Sequence, residues 1–136
     1  MLDELRDRIT AFIAQHPVCV VSTRGGAGAW VAPAWHFSDG LEMVCLLPRW
    51  SDALYYLEQD PRVMVIILDP QSKALRWLQY SGRAHVTQPL ETVQILPQEP
   101  PDMPIDDRHV AIRITAERID LIDENRGWGA RETIDL

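Results

Sequence analysis

The sequence has few basic residues, only two cysteines and no long apolar run, and each shortage excludes a class of protein. No run approaches the roughly 20 apolar residues that a membrane span needs. The first ten residues, MLDELRDRIT, lack the basic start and apolar centre of a signal peptide. We therefore expect a cytoplasmic protein with no membrane partner. Thirteen Lys and Arg against twenty Asp and Glu give a net charge of −7. Nucleic acid is then not an expected partner, because neutralising its phosphates needs a basic surface.

The scarce cysteines also limit the chemistry that the chain can offer. Cys19 and Cys45 both lie in apolar, strand-like runs. We expect buried free thiols rather than a disulfide, because the expected compartment is reducing. The sequence contains no CxxC motif and no Cys/His cluster at metal-ligand spacing, so no metal site is predicted. No nucleophile–base pair is recognisable either, and catalytic residues stay unassigned.

What the sequence does contain is a series of short apolar runs that suits one domain over residues 1–136. These runs predict strands at 18–23, 29–37, 41–47, 62–69, 74–87 and 109–122, and helices at 1–15 and 52–59. Residues 89–96 are predicted as a short helical turn, and residues 97–107, with four prolines and four acids, as an extended loop. Short hairpins with few crossover helices favour a mainly β fold. We expect an antiparallel sheet curled into a barrel, not a doubly wound parallel sheet.

The most informative stretch is residues 29–61, AWVAPAWHFSDGLEMVCLLPRWSDALYYLEQDP. Gly40 follows an aspartate and supplies the chemistry of a hairpin turn. Ser51 is a candidate N-cap for the second helix. Pro33 predicts a bulge or a sheet edge, and the alternative is that it lines a pocket at such an edge. Further along, Gly82 in the middle of a strand predicts a bulge or a bend.

The order and spacing of these elements resemble the FMN-binding split barrel of the pyridoxamine 5'-phosphate oxidase-like family. The matching features are a glycine turn after the first strand, the strand VAPAWHF, the segment LEQDPRV at 57–63, and Gly82-Arg83-Ala84. The resemblance covers roughly residues 10–88 and is weaker over the final strand. It implies a mainly β fold, a six-stranded antiparallel split β-barrel with flanking helices.

The resemblance also implies an obligate homodimer with FMN bound in the clefts between its subunits. The phosphate would be held by basic side chains and the flavin ring would lie against strands. On this basis the cofactor-binding candidates are Val31, Pro33, Trp35, Arg49, Trp50, Ser51, Lys73, Trp128 and Arg131. Trp128 and Arg131 lie in a glycine-spaced tail, where Trp can stack on a ring and Arg can pair with an anion. The alternative is that this tryptophan holds the tail on the barrel.

One departure from the family pattern leaves two functions open. Where the family places Ser-Arg-Lys, this chain has Ser51-Asp52-Ala53. An acid therefore stands beside the expected position of a dianionic phosphate. The resemblance predicts an FMN-dependent oxidoreductase of unassigned substrate, in which the cofactor carries the hydride chemistry. The departure favours a non-enzymatic homodimer of the same fold, whose altered site binds another small-molecule ligand or none.

Overall fold

The computed structural model describes residues 2–25, 28–87 and 108–136. The predicted helical turn at 89–96 and the predicted loop at 97–107 lie outside the described residues. None of the described helices is long and apolar enough to cross a membrane. In chain order, the elements are α1 (Leu2–Gln15), β1 (Val18–Gly25), β2 (Gly28–Asp39), β3 (Glu42–Pro48), α2 (Asp52–Gln59), β4 (Arg62–Leu68), β5 (Arg76–Val86), β6 (His109–Asp123), a 3-10 turn (Glu124–Arg126) and β7 (Arg131–Asp135).

Six of the strands close into an antiparallel barrel. They follow the order β3-β2-β1-β4-β5-β6, and β6 pairs back with β3. The first half of β6 makes that closure, whereas its second half, Arg118–Ile122, pairs with β7 outside the barrel. The predicted fold class is therefore confirmed: the protein is mainly β, with a six-stranded antiparallel barrel and two helices.

The barrel is filled because alternate residues of its strands point inward. In β4, Val63, Val65 and Ile67 are buried, while the residues between them face outward or are partly covered. Helix α1 adds an apolar stripe to the same core. Full burial of a large aliphatic or aromatic side chain contributes about 1.5–3 kcal/mol. The buried residues of α1 are Leu5, Ile9, Phe12 and Ile13.

A bulge interrupts the ladder between β5 and β6, at the glycine that predicted it. Ser81 pairs with Arg118, but Gly82 pairs with Ala116, so one residue of β6 has no partner on β5. A Cβ atom added at Gly82 would lie 2.3 Å from the carbonyl oxygen of Thr115. The glycine therefore permits a close approach of two backbones that no side chain would allow.

Pro33 lies where β2 has a strand neighbour on one side only. Strand β1 pairs with the whole of β2, but β3 pairs only with its last residues, His36–Asp39. A proline is tolerated at such a position because one edge of the strand makes no ladder bonds there. The edge interpretation of Pro33 is confirmed, and this half of β2 is the opening of the split barrel.

The two cysteines are free and buried, as expected. Their sulfur atoms lie 3.8 Å apart in the core. The hydrogen bond to Cys19, together with burial, raises the pKa of the Cys45 thiol. A buried thiol that stays protonated is not poised as a nucleophile.

Candidate functional site

Six of the nine predicted site residues lie at two opposite ends of the barrel. Strand β3 ends at Pro48, opposite the first residue of β6, so the loop 49–51 lies at this end, which we call the α2 end. Lys73 lies in the turn between β4 and β5, where Arg76 pairs with the last residue of β6. Trp128 comes shortly after β6, beyond the 3-10 turn, and lies at that same end, which we call the tail end. One subunit therefore does not bring the nine candidates into a single site.

Three of the candidates share the outer face of β2. Val31 is 60% exposed and Pro33 is also exposed. Trp35 is partly buried because it packs on Val44 and Leu46, whose side chains form a small cluster on the outside of β3. These three side chains make an apolar wall beside the open edge of β2. The wall extends towards the α2 end.

The hydroxyl of Ser51 is buried at the start of α2. The residue is 6% exposed, and its Oγ atom has no hydrogen-bond partner among the described residues. The loop before it is fixed by backbone bonds, since Ser51 N donates to the carbonyl of Pro48 at 3.0 Å and Arg49 N to that of Arg108 at 2.8 Å. An unsatisfied buried hydroxyl costs about 1–3 kcal/mol. Ser51 occupies the predicted N-cap position, but the expected capping bond is absent.

The two residues after Ser51 supply no positive charge. Ala53 is fully buried in the core, and Asp52 is exposed in the first turn of α2. Before Ser51, Trp50 is 81% exposed. The departure from the family pattern removes the basic residues after Ser51. Arg49 is then the residue that carries the positive charge of the loop 49–51.

Arg49 lines a pocket of about 280 Å³ between α2 and the start of β6, with Glu58, Thr87 and His109 among its other walls. Burial, and then the positive charge of Arg108, lowers the pKa of His109. The Nδ1 atom of that imidazole is buried without a hydrogen-bond partner among the described residues. The pocket therefore combines the guanidinium of Arg49 with an imidazole whose neutral form is favoured. A histidine in a strand is more often a hydrogen-bonded structural residue than a catalyst or a ligand, so its position in the sequence alone does not mark it as functional.

At the tail end, Arg131 holds β7 onto the barrel. Its Nε and Nη2 atoms donate to the two carboxylate oxygens of Asp120 at 3.1 and 3.0 Å. Asp120 is 1% exposed and also accepts hydrogen bonds from Arg118 and Thr133. Burial acts to raise the pKa of Asp120, but these bonds outweigh it and lower the pKa. A ligand anion can contact Arg131 only at the edge of the guanidinium that these two bonds leave.

The other two candidates at the tail end extend into solvent. Lys73 is exposed, and Trp128 is 94% exposed between two glycines of positive φ, Gly127 and Gly129. The interpretation that Trp128 holds the tail on the barrel is wrong, because the side chain packs on almost nothing within this subunit. The backbone pairing of β7 with β6 and the hydrogen bonds of Asp120 hold the tail instead.

A continuous apolar surface covers the outside of β2, β1 and β4. Val20 lies at its centre, paired with Pro33 on one side and Ile66 on the other. Contiguous exposed apolar surface of this kind marks a binding surface for a protein or a ligand. We call it the outer face, and its members are Val18, Val20, Val31, Pro33, Trp35, Met64, Ile66 and Leu68.

These features define a class of protein, the split β-barrels with a polar loop beside an open strand edge. A family model described as pyridoxamine 5'-phosphate oxidase matches residues 5–123. The chain therefore belongs to the pyridoxamine 5'-phosphate oxidase family, and the resemblance found in the sequence is confirmed.

Solved structures show the same fold. A protein related to general stress protein 26, from Clostridium acetobutylicum, has a TM-score of 0.76 and 14% identity, covering 98% of this chain and 96% of that one. A FAD-binding protein from Mesorhizobium loti has a TM-score of 0.65 and 15% identity, covering 82% and 89%. A heme-binding protein from Mycobacterium smegmatis has a TM-score of 0.69 and 16% identity, covering 96% and 56%. At such identities the likeness establishes the fold alone. Comparison with curated proteins gave no match.

Proposed function

We propose that this protein is a homodimeric flavoprotein that binds FMN between its subunits and acts as an oxidoreductase on a small molecule. Membership of the family supports a flavin, as does the similar fold of a protein described as FAD-binding. The observation that carries the proposal is the buried, unpartnered hydroxyl of Ser51 at the start of α2.

A phosphate group fits the donors at this position. The Ser51 hydroxyl can donate to a phosphate oxygen, and the first amides of α2 have no partner within the helix. The positive end of the helix dipole favours an anion at the same point. Asp52 opposes it, but this carboxylate is exposed, so solvent and salt screen its repulsion. Arg49 supplies the positive charge that the two residues after Ser51 lack.

The flavin ring would lie on the apolar wall of β2. Val31, Pro33 and Trp35 would cover the ring and keep water from it. When bound, FMN supplies the hydride chemistry, while the protein sets its position and access. Burial and the charge of Arg108 lower the pKa of His109, at the start of β6. This favours the neutral imidazole, which would accept a proton from a substrate bound in the Arg49 pocket.

A second subunit completes this site in the proposal. The outer face suits a dimer interface, because apolar side chains and aromatics dominate the centre of such interfaces. Lys73 and Trp128 lie at the tail end and are far from Ser51 in their own chain. They can contribute only to the cleft of the partner subunit.

The variant Ser51→Ala tests the phosphate site without disturbing the helix. Because Ser51 makes no capping bond and its hydroxyl is buried without a partner among the described residues, we expect the ligand-free variant to keep its stability or to gain up to about 1–3 kcal/mol in free energy of unfolding, whereas an ordinary N-cap loss costs ~1 kcal/mol. Loss of its bond to phosphate should weaken FMN binding by about 1.5–3 kcal/mol, measured by flavin fluorescence.

The matched control is Ser38→Ala, at the tail end of the barrel, which should bind FMN as the wild type does. Unchanged FMN affinity in Ser51→Ala would place the phosphate elsewhere and remove the main support for the proposal.

The alternative is a non-enzymatic homodimer with an altered flavin site, and the loop after Ser51 favours it. Asp52 carries the wrong charge for a phosphate, and Ala53 is buried where it can contact no ligand. A well-folded dimer that does not bind FMN would support this function.

A further inference from the structure

Three arginines form a row across the outside of three adjacent strands. Arg62 of β4 pairs directly with Arg83 of β5. In β1, Arg24 follows Thr23, which pairs with Val63, so Arg24 lies next to Arg62 on the other side. All three arginine side chains are exposed. We call this set the arginine row, and it borders the outer face at the α2 end.

The row is unfavourable for folding by itself. Like charges directly opposite each other on paired strands are destabilising, and cross-strand pairs of this kind are worth about 0.2–1 kcal/mol. In a chain with only 13 basic residues and a net charge of −7, three adjacent arginines are therefore not explained by solubility. An anion bound among them would remove the repulsion.

The acids near the row neutralise two of the three arginines. Arg62 donates to Asp60 at 3.0 and 2.8 Å, which lowers the pKa of that carboxyl to about 2. Arg83 donates to Glu117 at 3.4 Å. Arg24 interacts with Asp60 through space only, and no hydrogen bond or ion pair joins its guanidinium to the described part of the chain. One positive charge of the row is therefore left for a ligand.

A pocket of about 300 Å³ lies over the row. Arg24 and Arg62 line it, together with Ser22 and Ser81. These two serines lie on either side of the same residue of β4, with which both pair. Glu117 closes the pocket on the β5 side. The pocket thus combines two guanidinium groups with two hydroxyl groups, which are the donors that phosphate oxygens accept from.

We propose that the arginine row binds the phosphate groups of a small phosphorylated molecule, at a site separate from Ser51. A guanidinium group matches a phosphate with two parallel hydrogen bonds. Neighbouring strands are about 4.8 Å apart, so two phosphates of a diphosphate can each face one arginine. Glu117 pairs with Arg83, so the charge of Arg24, unpaired within the described part of the chain, binds one phosphate. Arg62, whose Nε and Nη2 atoms donate to Asp60, adds its remaining N–H groups as further donors.

Helix α2 separates this site from the proposed flavin phosphate site. Ser51 precedes the helix and Asp60 follows it, and eight helical residues lie between them. At 1.5 Å per residue this is about 12 Å. The inference does not depend on flavin binding.

The test uses inorganic pyrophosphate as the probe, titrated calorimetrically into the full chain at low salt and without divalent cations. We expect one pyrophosphate per chain, binding at least tenfold more weakly in Arg24→Ala and in Arg62→Gln. Arg6→Ala, which removes an exposed arginine of α1, should bind within twofold of the wild type. Glu117→Gln should bind about threefold more tightly, because it removes the carboxylate from the pocket. A purely structural row would not produce that gain.

Three results would overturn the proposal. The first is a wild-type protein that does not bind pyrophosphate saturably. The second is an Arg24→Ala variant that binds as tightly as the wild type. The third is loss of pyrophosphate binding when FMN saturates the protein, which would merge this site with the flavin site. A protein that fails to bind FMN still allows the first two measurements, so the failure of one proposal is distinguishable from that of the other.

Discussion

Residue 82 must be a glycine because two backbones approach each other closely there. A Cβ atom there would lie 2.3 Å from the carbonyl oxygen of Thr115, so Gly82→Ala must push β5 and β6 apart. We expect the free energy of unfolding to fall by about 1–3 kcal/mol, measured by urea denaturation. Gly28→Ala is the control, because no atom among the described residues lies within 4 Å of its added Cβ. Equal midpoints for the two variants would contradict the close approach.

Single residues also show where the sequence was sufficient and where it was not. Gly82 predicted the bulge because a glycine in the middle of a strand often marks a bulge or a bend. Ser51 predicted an N-cap, and it occupies that position, yet its hydroxyl makes no capping bond. The partner of a side chain depends on neighbours distant in sequence, and a local pattern does not contain them.

At the scale of elements, β7 depends on one buried carboxylate. Asp120 of β6 accepts hydrogen bonds from Arg131 and Thr133 of β7. In Asp120→Asn, the loss of these charge-assisted bonds should lower the free energy of unfolding at pH 7 by about 1.5–3 kcal/mol. The two arginines near it are half exposed, so their remaining charges stay solvated.

The pH dependence of that loss follows from the lowered pKa of Asp120. A carboxyl whose pKa is lower in the folded protein stabilises it above the unfolded pKa of about 3.9. That contribution disappears as the pH falls through the folded pKa. The difference between wild type and Asp120→Asn should therefore be large at pH 7 and small near pH 2, in urea denaturation at both pH values. A difference that is equal at both would contradict the role of the charge.

The elements differ in how far they could be predicted. Helix α2 begins and ends at the predicted residues because Ser51 precedes it and Asp60-Pro61 follows it, and both signals are local. For β7, in contrast, the sequence predicts only a glycine-spaced tail and no strand. Its five residues, RETID, carry three charges, and they form a strand only because β6 extends beyond β3 and leaves an edge to pair with.

At the scale of the whole molecule, the order of strands was predictable and the arrangement of the site was not. Short hairpins and a chain of apolar runs indicate an antiparallel barrel. Whether Trp128 lies near Ser51 depends on strand directions and register, which place them at opposite ends of the barrel. The nine candidates thus form one site only if a second subunit contributes, and the outer face around Val20 is the surface proposed for that contact.

The most direct test of the account is a titration of the flavin-free protein with FMN, followed by flavin fluorescence and light scattering. We predict saturable binding at micromolar or lower FMN, one FMN per chain, by a particle of about twice the 15.5 kDa chain mass. A folded dimer that binds no FMN would contradict the flavoprotein proposal and favour the altered-site alternative. A monomer would contradict the shared site itself.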